Sequence, residues 1–291
     1  MITKNIMKHF ILISGLLLIC SLSSCTASRP VVEIGEVKIT GADISYRTAI
    51  GQISGNQDIT ETSVIVQLIS KGLEYEVARI NNITASPGEI QDFSNYVDSS
   101  TKAPQLLAKI KEVFEGDRSE YERVYLVPII INRKLHAWFN RDPEIHKNAR
   151  TSMEKAHFLV KSGKTLEQAA QLCSLKYISH VDSGLSDTPT IPGNPPPSVS
   201  RGPLASIFKS LANGEIYKDI IEDDYTYRIV RLVDRNGAIL TIEMVCADKR
   251  PFSEWFQEQA EQIHIVFHDQ ERKKSIIEKY PKLWWIKKLS E

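Results

Sequence analysis

The four cysteines are the side chains of this sequence with the most specific chemistry to offer. Cys20 and Cys25 lie close to the amino terminus, whereas Cys173 and Cys246 stand far apart from each other. Neither the cysteines nor the seven histidines show the short spacings typical of metal ligands, so the sequence predicts no metal site and no cofactor. In an oxidising compartment Cys173 and Cys246 can either pair or remain free thiols, and the sequence leaves both outcomes open.

The residues before Cys25 indicate what happens to its thiol. Two lysines precede an apolar run over residues 10–19, which is too short to span a bilayer as a permanent helix and is typical of a signal peptide. The following Leu22-Ser-Ser-Cys25 resembles the lipobox of bacterial lipoprotein precursors, in which the cysteine is acylated before cleavage. We therefore expect residues 1–24 to be removed and lipid on Cys25 to hold the protein on a membrane. The alternative is an ordinary secreted protein whose cysteine happens to follow small residues.

The lipid anchor also predicts a location. The protein is expected on the extracytoplasmic side of a bacterial cell envelope. Thr26, rather than an aspartate, follows the cysteine, which favours the outer membrane, facing the periplasm, if the host is Gram-negative.

The composition of the remaining chain excludes one class of partner. Without residues 1–24 the chain holds 34 basic and 36 acidic residues, so it is nearly neutral and gives no reason to expect a nucleic-acid partner. With 42% apolar residues it is long enough for one large or two modest globular domains.

The first half of the chain is predicted to be helical after one short strand. An apolar strand runs from Val31, turns at Gly35 and ends on a capping box, Thr40-Gly-Ala-Asp43, which predicts a helix start. Apolar residues recur at helical spacing over residues 44–53 and 64–80. A second helix-start signal stands at residues 86–89, with a proline at the first position of a third helix. A fourth helix is expected over residues 103–114.

The helical pattern continues over residues 119–170, with breaks or kinks expected at Pro128 and at Asp142-Pro143. The stretch 121–139 carries an apolar stripe rich in aromatic residues. This stripe either packs into a core or lines a groove for unfolded polypeptide, and the sequence does not separate the two.

The second half is predicted to mix strands with short helices. Residues 187–203 hold six of the thirteen prolines and are expected to form a loop. A short helix over residues 204–211 and a hairpin of strands 225–233 and 240–246, turning at residues 234–237, come next. The chain then gives a helix over 252–262, a strand over 263–267 and a basic helix that ends with Leu283-Trp-Trp-Ile286.

This order of elements resembles the exported foldases of the SurA and PrsA type. The similarity rests on Val32-Glu-Ile-Gly-Glu-Val-Lys-Ile-Thr-Gly-Ala-Asp43 near one end and on Pro251-Phe-Ser-Glu-Trp-Phe-Gln-Glu-Gln-Ala260 with the strand after it near the other. In such proteins the first and last strands commonly lie together, so we predict that residues 31–35 pair with residues 263–267.

The resemblance also implies a fold and a domain plan. The fold class is mainly α with a small α+β part. Residues 25–150 would form a helical chaperone domain, residues 151–248 a degenerate parvulin-like domain inserted into it, and residues 249–291 a strand and helices that return to the chaperone domain. Within the inserted part, residues 160–170, 182–185, 207–216 and 227–232 are each similar to a parvulin segment.

Parvulins are peptidyl-prolyl isomerases that use a pair of histidines, and both are expected to be missing here. The first would lie on a strand before residue 160, but that region has a helical pattern, and His157 within Ala156-His-Phe-Leu-Val160 is interpreted as an accidental match. The second would follow Tyr227, where Arg228 stands instead; a guanidinium stays charged and cannot alternate as donor and acceptor. The sheet is therefore expected to lack its first strand, with residues 240–246 filling the vacant edge.

What remains of the proline site is a set of candidates. The resemblance makes Phe208, Tyr225, Tyr227 and Arg228 the candidate proline or peptide pocket, with no catalytic residue assigned. Asp223 and Asp224 would either hold the backbone of a bound peptide or form a turn at the strand start.

Three functions follow as hypotheses. The leading one is a membrane-tethered chaperone that binds unfolded or nascent exported polypeptides in an apolar groove between the helical and parvulin-like domains. The second is an active isomerase with a rearranged site around Phe208, Tyr225 and Tyr227. The third is a dedicated partner of an export or surface assembly, in which the tandem Trp284-Trp285 packs on another protein; against it stands the alternative that both tryptophans belong to the chaperone domain.

Overall fold

The computed structural model describes residues 29–100, 104–182, 203–236 and 239–289. These residues are mainly helical, with two small antiparallel sheets, so the predicted fold class is confirmed at the level of a mainly α chain with a small β part. The chain forms two compact units. Of the described residues, the first unit contains 29–135 and 256–289, and thus combines both ends of this range, whereas the second contains 136–255.

The first unit is built from helices around one small sheet. Its elements are β1 (Val32–Ile34), β2 (Val37–Ile39), α1 (Gly41–Ile53), α2 (Glu61–Ile80), α3 (Pro87–Ser99), α4 (Pro104–Glu112), α5 (Arg118–Tyr121), a π-helical segment (Glu122–Leu126), the first part of α6 (Val127–Arg141), the last part of α10 (Phe252–Ala260), β7 (Ile265–Phe267), α11 (Gln270–Lys279) and a 3₁₀ helix (Trp284–Leu289).

The small sheet joins the two ends of the described chain. Its strand order is β2-β1-β7, and β1 pairs antiparallel with β7 through Val32↔Phe267, Glu33↔Val266 and Ile34↔Ile265. The predicted pairing of residues 31–35 with 263–267 is confirmed. Apolar side chains of the sheet are buried, including Val32 and Ile34, so the pairing of distant segments also closes part of the core of this unit.

Three of the helices in this unit begin with a capping box, and two of them begin where the sequence predicts. Thr40, Thr60 and Ser86 each cap a helix, and each forms a capping box with the residue three positions later. In such a box two backbone amides that lack partners inside the helix are satisfied at once. The boxes at Thr40 and Ser86 are the two that the sequence predicts, and the Ser86 box carries the predicted proline at the first helical position.

The sequence predicts a break or a kink at Pro128, and the structure shows no break there. Pro128 lies in the first turn of α6, directly after the π-helical segment, in which the Val127 amide donates to the Glu122 carbonyl five residues earlier. A proline ring clashes with the carbonyl four residues before it, and a widened π turn accommodates the ring without ending the helix. The predicted break at Asp142-Pro143 is confirmed, since α6 ends at Arg141 and the next helix begins at Lys147.

The second unit packs helices against a four-stranded sheet. Besides the end of α6 and the start of α10 it contains α7 (Lys147–Lys161), α8 (Leu166–Cys173), β3 (Lys176–Asp182), α9 (Pro203–Ser210), β4 (Ile221–Glu222), β5 (Thr226–Asn236) and β6 (Ile239–Asp248). The strand order is β3-β6-β5-β4. The hairpin of β5 and β6 is confirmed, but the turn predicted at residues 234–237 is wrong for residues 234–236, which continue β5 and pair with Thr241, Leu240 and Ile239.

The position of β6 corrects one expectation. Residues 240–246 do not fill an edge of the sheet, because β6 lies inside it and pairs with both β3 and β5. A strand that is paired along both sides and has a core on each face is expected to be mainly apolar, and β6 is buried at Leu240, Ile242, Met244, Val245 and Cys246, while Thr241 and Glu243 are partly exposed.

The sheet of the second unit separates two apolar cores. One contains Phe208, Leu211, Val230 and Leu232, and the other contains Met153, Ala156, Leu166 and Ile229, each with further residues of β6. Neighbouring residues of β5 alternate between the two cores, as the period of a strand requires.

The unit boundaries differ from the domain plan drawn from the sequence, which began the inserted part at residue 151 and ended it at 248. The chain enters the second unit within α6 and leaves it within α10. The reason is an aromatic cluster in which Phe139 contacts His146, Phe252 and Trp255, with ring centroids 4.9, 5.2 and 5.2 Å away. These contacts attach residues 136–150 and 249–255 to the second unit.

Two predicted segments lie outside the described residues. These are the signal peptide with Cys25 and Thr26, and the proline-rich loop except for Pro203, with which α9 begins. Within the ranges that the structure does describe, no helix combines the length and apolar character needed to cross a membrane.

Candidate functional site

The four side chains of the predicted proline pocket do not come together. Phe208 on α9 is fully buried in one core of the second unit, and Tyr227 on β5 is buried in the core on the opposite face of the sheet. Since the sheet lies between them, these two aromatic rings cannot line one pocket. The sequence placed them together because the resemblance supplied their order along the chain but not the faces to which they point.

The other two candidates also have separate environments. Tyr225 is 77% exposed. Arg228 forms an ion pair with Asp223, whose Oδ1 accepts hydrogen bonds of 2.8 Å from the backbone amides of Tyr225 and Thr226. Although burial opposes ionisation, these amides and the guanidinium hold the pKa of Asp223 below its usual range. Asp223 thus closes a turn at the start of β5. Of its two predicted roles, the structure shows the turn and not the binding of a peptide backbone.

The positions expected for the family histidines hold no histidine pair. The region before residue 160 is α7, as the sequence indicates, and the His157 ring on it forms a 3.0 Å hydrogen bond with the Lys218 carbonyl. Arg228 stands opposite Cys246 in the sheet, where it is committed to Asp223. Arg228 therefore forms an ion pair at the position where the sequence resemblance led us to look for the second histidine.

The cysteines of the second unit are both free. Cys246 is buried on β6, and burial raises the pKa of its thiol, so it is a poor nucleophile. Cys173 is half-buried at the end of α8. Across the described ranges, no group of three or more histidine, cysteine, aspartate or glutamate side chains is arranged to hold a metal ion.

The first unit contains an apolar groove, which we call the groove below, with a volume of about 420 Å³. This volume is within the range of roughly 300–1,000 Å³ that is typical of ligand sites. Its walls come from β2, α2, α3, the π-helical segment and α6, and its apolar lining comprises Val37, Ile39, Leu68, Gly72, Tyr75, Ile90, Val124, Val127, Pro128 and Ile131.

The aromatic stripe of residues 121–139 contributes to both of its predicted roles. Tyr121, Leu126 and Leu135 are buried in the core, whereas Val124 and Val127 lie in the wall of the groove. The π-helical segment brings this about, because one extra residue in the turn changes which side chains face inward before and after it.

An ion pair forms the polar end of the groove. Asp43 on α1 is only 4% exposed, and its Oδ1 accepts a 2.5 Å hydrogen bond from Arg123 in the π-helical segment. Its other oxygen accepts from the amide and hydroxyl of Thr40, both at 2.7 Å. Arg123 also pairs with Glu120 at 2.7 Å, and these two carboxylates raise the pKa of the guanidinium, which stays charged.

Further charged groups border the groove. Glu74 on α2 accepts hydrogen bonds from Lys71 at 2.7 Å and from the Asn132 amide at 3.0 Å. Lys38 is exposed on β2. An apolar floor with charges of both signs at its border suits a segment that carries apolar side chains but keeps its ends in water.

The groove also borders a free sheet edge. Hydrogen bonds from the Gly35 amide to the His264 carbonyl and from the His268 amide to the Val31 carbonyl show that Glu33 and Gly35 direct their backbone groups towards β7. Val31 divides its groups, since its carbonyl faces β7 and its amide donates to the Ile39 carbonyl on β2. Val32 and Ile34 therefore direct theirs to β2, opposite Ile39 and Val37, and the amide and carbonyl of Lys38 point away from β1. An extended peptide in the groove has a backbone partner there.

Close packing behind the groove depends on one glycine. Gly72 on α2 lies against Ile34, and a Cβ there would come within 2.5 Å of the Ile34 Cδ1 atom. Because Gly72 has no side chain, α2 can pack closely on the sheet. Residues of β2 then line the same groove as Leu68 and Tyr75 of α2.

The tandem tryptophans belong to the first unit. Trp285 is almost fully buried, and Trp284 contacts Phe256 edge-on with ring centroids 6.5 Å apart. Both tryptophans therefore have packing partners within their own unit. This agrees with the alternative that they belong to the helical part of the protein and do not serve to bind another protein.

Comparison with models of known protein families gives no match, and no curated protein sequence matches the chain.

Sequence reasoning missed the ion pair that ends the groove. Asp43 was identified only as the last residue of a capping box, and Arg123 lies 80 positions further along the chain. The one available signal was an arginine on an otherwise apolar helical stripe.

Proposed function

We propose that this protein is a lipid-anchored extracytoplasmic chaperone of the SurA and PrsA type, which holds apolar segments of unfolded exported polypeptides in the groove of its first unit. The observation that carries the proposal is the groove itself, with its apolar walls, its charged border and the outward-facing backbone of Lys38. The lipobox-like Leu22-Ser-Ser-Cys25 supports the anchor.

Each part of the groove has a role in this function. Apolar client side chains lose contact with water against Leu68, Tyr75 and Val127, which supplies affinity without sequence specificity. Hydrogen bonds from the client main chain to Lys38 add the same interaction for every sequence, as in other cases of strand addition to a sheet edge. Such a site suits a chaperone, which must accept many clients.

The geometry supports a chaperone without isomerase activity. The two aromatic rings assigned to a proline pocket lie on opposite faces of a sheet, and Arg228 is paired with Asp223. We expect isomerisation of a short X-Pro peptide to proceed at the uncatalysed rate. A rate well above background that is lost in Arg228→Ala would favour the isomerase.

The test of the chaperone function is protection of an unfolded protein from aggregation. A chemically unfolded reporter protein is diluted into buffer with the purified chain, and light scattering is followed. We expect the wild type to suppress scattering and Tyr75→Ala to suppress it less. Tyr75 lines the groove and is 40% exposed, so its removal leaves the fold intact.

Tyr225→Ala is the matched control, because Tyr225 is a still more exposed tyrosine and lies in the second unit. It should protect the reporter as well as the wild type does. If Tyr225→Ala loses protection and Tyr75→Ala keeps it, clients bind the second unit and the groove is not their site. The anchor is tested separately: Cys25→Ser should move the protein from the membrane fraction to the soluble fraction.

A further inference from the structure

A second concave site in the first unit is polar where the groove is apolar. This cleft has a volume of about 310 Å³ and lies between α3, α4 and the start of α5. Four of its lining residues, Gln91, Ser94, Asn95 and Asp98, follow one another on α3 at the spacing of a single helix face. Ser94 is buried, whereas Gln91, Asn95 and Asp98 are exposed, so this polar face borders both the cleft and the solvent.

The hydroxyl of Tyr121 is the second observation. Tyr121 lines the cleft and is 6% exposed, and its hydroxyl is buried without a hydrogen-bond partner among the described residues. Burial, together with the nearby Asp98, raises the pKa of this hydroxyl to about 12, so it remains a neutral donor. A buried donor without an acceptor is rare in folded proteins and marks a position where a ligand oxygen is favoured.

An ion pair lines the cleft beside the Tyr121 ring. Asp98 and Lys111 pair at 2.5 Å, and the Lys111 ammonium lies 5.7 Å from the centre of the Tyr121 ring. Both side chains are nearly half exposed, and ion pairs of that kind are weak and easily opened. An incoming group that accepts from Tyr121 and donates to Asp98 would take the place of this pair.

The charges of the cleft decide what kind of group this is. The two cations Lys111 and Arg118 are balanced by Asp98 and Asp117, so the lining is neutral and does not favour an anion such as phosphate. Arg118 is also committed, through 2.5 and 2.7 Å hydrogen bonds to Gln91 and Glu122. A neutral group with one acceptor oxygen and N–H donors matches the Tyr121 hydroxyl together with the Asp98 carboxylate that is released when its pair with Lys111 opens.

We propose that this cleft binds the side-chain carboxamide of a glutamine or asparagine residue, whose oxygen accepts from Tyr121 and whose NH₂ group donates to Asp98. Arg118 and Tyr121 face the cleft, while Ser119 and Glu122 face the groove, so the two sites share one helical turn. As a site for exported clients the cleft rests on the proposed function and narrows the client class to segments that combine apolar residues with carboxamides. As a carboxamide site it is testable without that function.

The experiment uses a ligand too small and too polar for the groove. The blocked tripeptide acetyl-Gly-Gln-Gly-amide is titrated into the ¹⁵N-labelled chain, and amide resonances are followed by NMR. We expect saturable shifts over residues 91–98 and 116–121. The same peptide with methionine or glutamate in place of glutamine has the same backbone amides and should bind at least about threefold more weakly, as expected for the loss of one hydrogen bond.

Tyr121→Phe removes the donor and keeps the ring. It should weaken binding of the glutamine peptide about three- to tenfold and leave the fold, and protection of the reporter by the groove, unchanged. Tyr46→Phe is the control, since Tyr46 packs on Phe114 in the same core but does not line the cleft. Equal binding of the three peptides, shifts elsewhere, or unchanged affinity in Tyr121→Phe would each overturn the proposal. Loss of reporter protection in Tyr75→Ala concerns the groove alone.

Discussion

At the scale of single residues, Gly35 is a position where the backbone conformation and the space around it both restrict the residue type. It forms the turn between β1 and β2 with a φ of +56°, and a Cβ there would lie 2.3 Å from the Glu76 Oε2 atom. Glu76 is buried and bound to Arg79, so its side chain has little freedom to move away. Backbone conformation and space both require glycine here.

Gly35→Ala is therefore expected to destabilise the first unit. The left-handed backbone alone costs about 1–2 kcal/mol for a residue with a Cβ, and the clash with Glu76 adds to it. Gly41→Ala is the control, because a Cβ at Gly41 meets nothing within 4 Å and alanine favours the first turn of α1. Urea denaturation of both variants measures the difference; equal midpoints would contradict this account of the turn.

His146 is a second residue whose surroundings predict a measurable effect. It is buried, its Nε2 donates a 2.8 Å hydrogen bond to the Phe139 carbonyl, and its Nδ1 has no partner among the described residues. Burial, with the charge of Lys249, lowers the pKa of this imidazole despite the opposing Glu222 and Asp142. Protonation of His146 would place a second buried positive charge next to that of Lys249.

The sign of the resulting pH dependence follows from this lowered pKa. Below the ordinary histidine pKa of about 6.5 the unfolded chain binds a proton that the folded chain does not. The stability of the second unit should be complete above that pH and fall as the pH drops towards the folded-state pKa, with a slope of at most about 1.4 kcal/mol per pH unit. Unfolding followed by tryptophan fluorescence between pH 5 and pH 8 measures it. His146→Gln keeps a donor for Phe139 and should remove this component; a profile identical to the wild type would assign the dependence to other groups.

At the scale of elements, the π-helical segment is the feature that shapes the groove. It allows α6 to continue through Pro128, and it places Arg123 opposite Asp43 while Val124 lines the wall. Regular α-helix through these residues would turn Arg123 away from Asp43, because one residue fewer in the turn rotates the preceding side chains by about 100°.

Pro128→Ala restores a backbone donor for the Val124 carbonyl and removes the clash of the ring. We expect α6 to extend backwards as regular helix, with a thermal midpoint equal to or above that of the wild type and weaker protection of the unfolded reporter. Pro87→Ala is a suitable comparison, since that proline lies at the first position of α3 and outside the groove. Unaltered protection by Pro128→Ala would mean that the π-helical segment does not determine client binding.

The elements also show what the sequence can and cannot predict. Helix starts were predictable because a capping box is local, as at Thr40 and Ser86. Strand β3 was not predicted from the sequence. Tyr177 packs on one core and Ile178 on the other, so the apolar–polar alternation that reveals a half-buried strand is absent. The candidate site was the least predictable part: the groove depends on a helical defect and on an ion pair between distant residues, and neither has a signature in a short window.

At the scale of the whole molecule, the pairing of β1 with β7 is the contact that unites distant parts of the chain. The whole second unit lies between the two strands in sequence. Closing so long a loop costs conformational entropy, which the buried side chains of Val32, Ile34 and Phe267 help to offset. The first unit, and with it the groove, therefore depends on a strand that is synthesised only after the whole second unit.

A disulfide across these strands tests both their register and this dependence. Glu33 lies directly opposite Val266, and the backbone bonds on either side make it a hydrogen-bonded pair, for which the Cα atoms are about 5.5 Å apart and within disulfide reach. Glu33→Cys with Val266→Cys should form the bond under mild oxidation and raise the stability of the first unit by about 2–4 kcal/mol. Mass spectrometry of the linked peptide and urea denaturation with and without reductant measure the two effects.

Lys38→Cys with Val266→Cys provides the control for this crosslink. Lys38 is opposite Glu33 on β2, so β1 separates it from Val266 and the two Cα atoms are about 9–10 Å apart, beyond the reach of a disulfide. Crosslinking of this control pair, or none for Glu33 with Val266, would contradict the strand order β2-β1-β7. A bond that forms without raising stability would instead mean that the two ends of the chain are already held together when the first unit unfolds, and that β7 is not the last element to secure the groove.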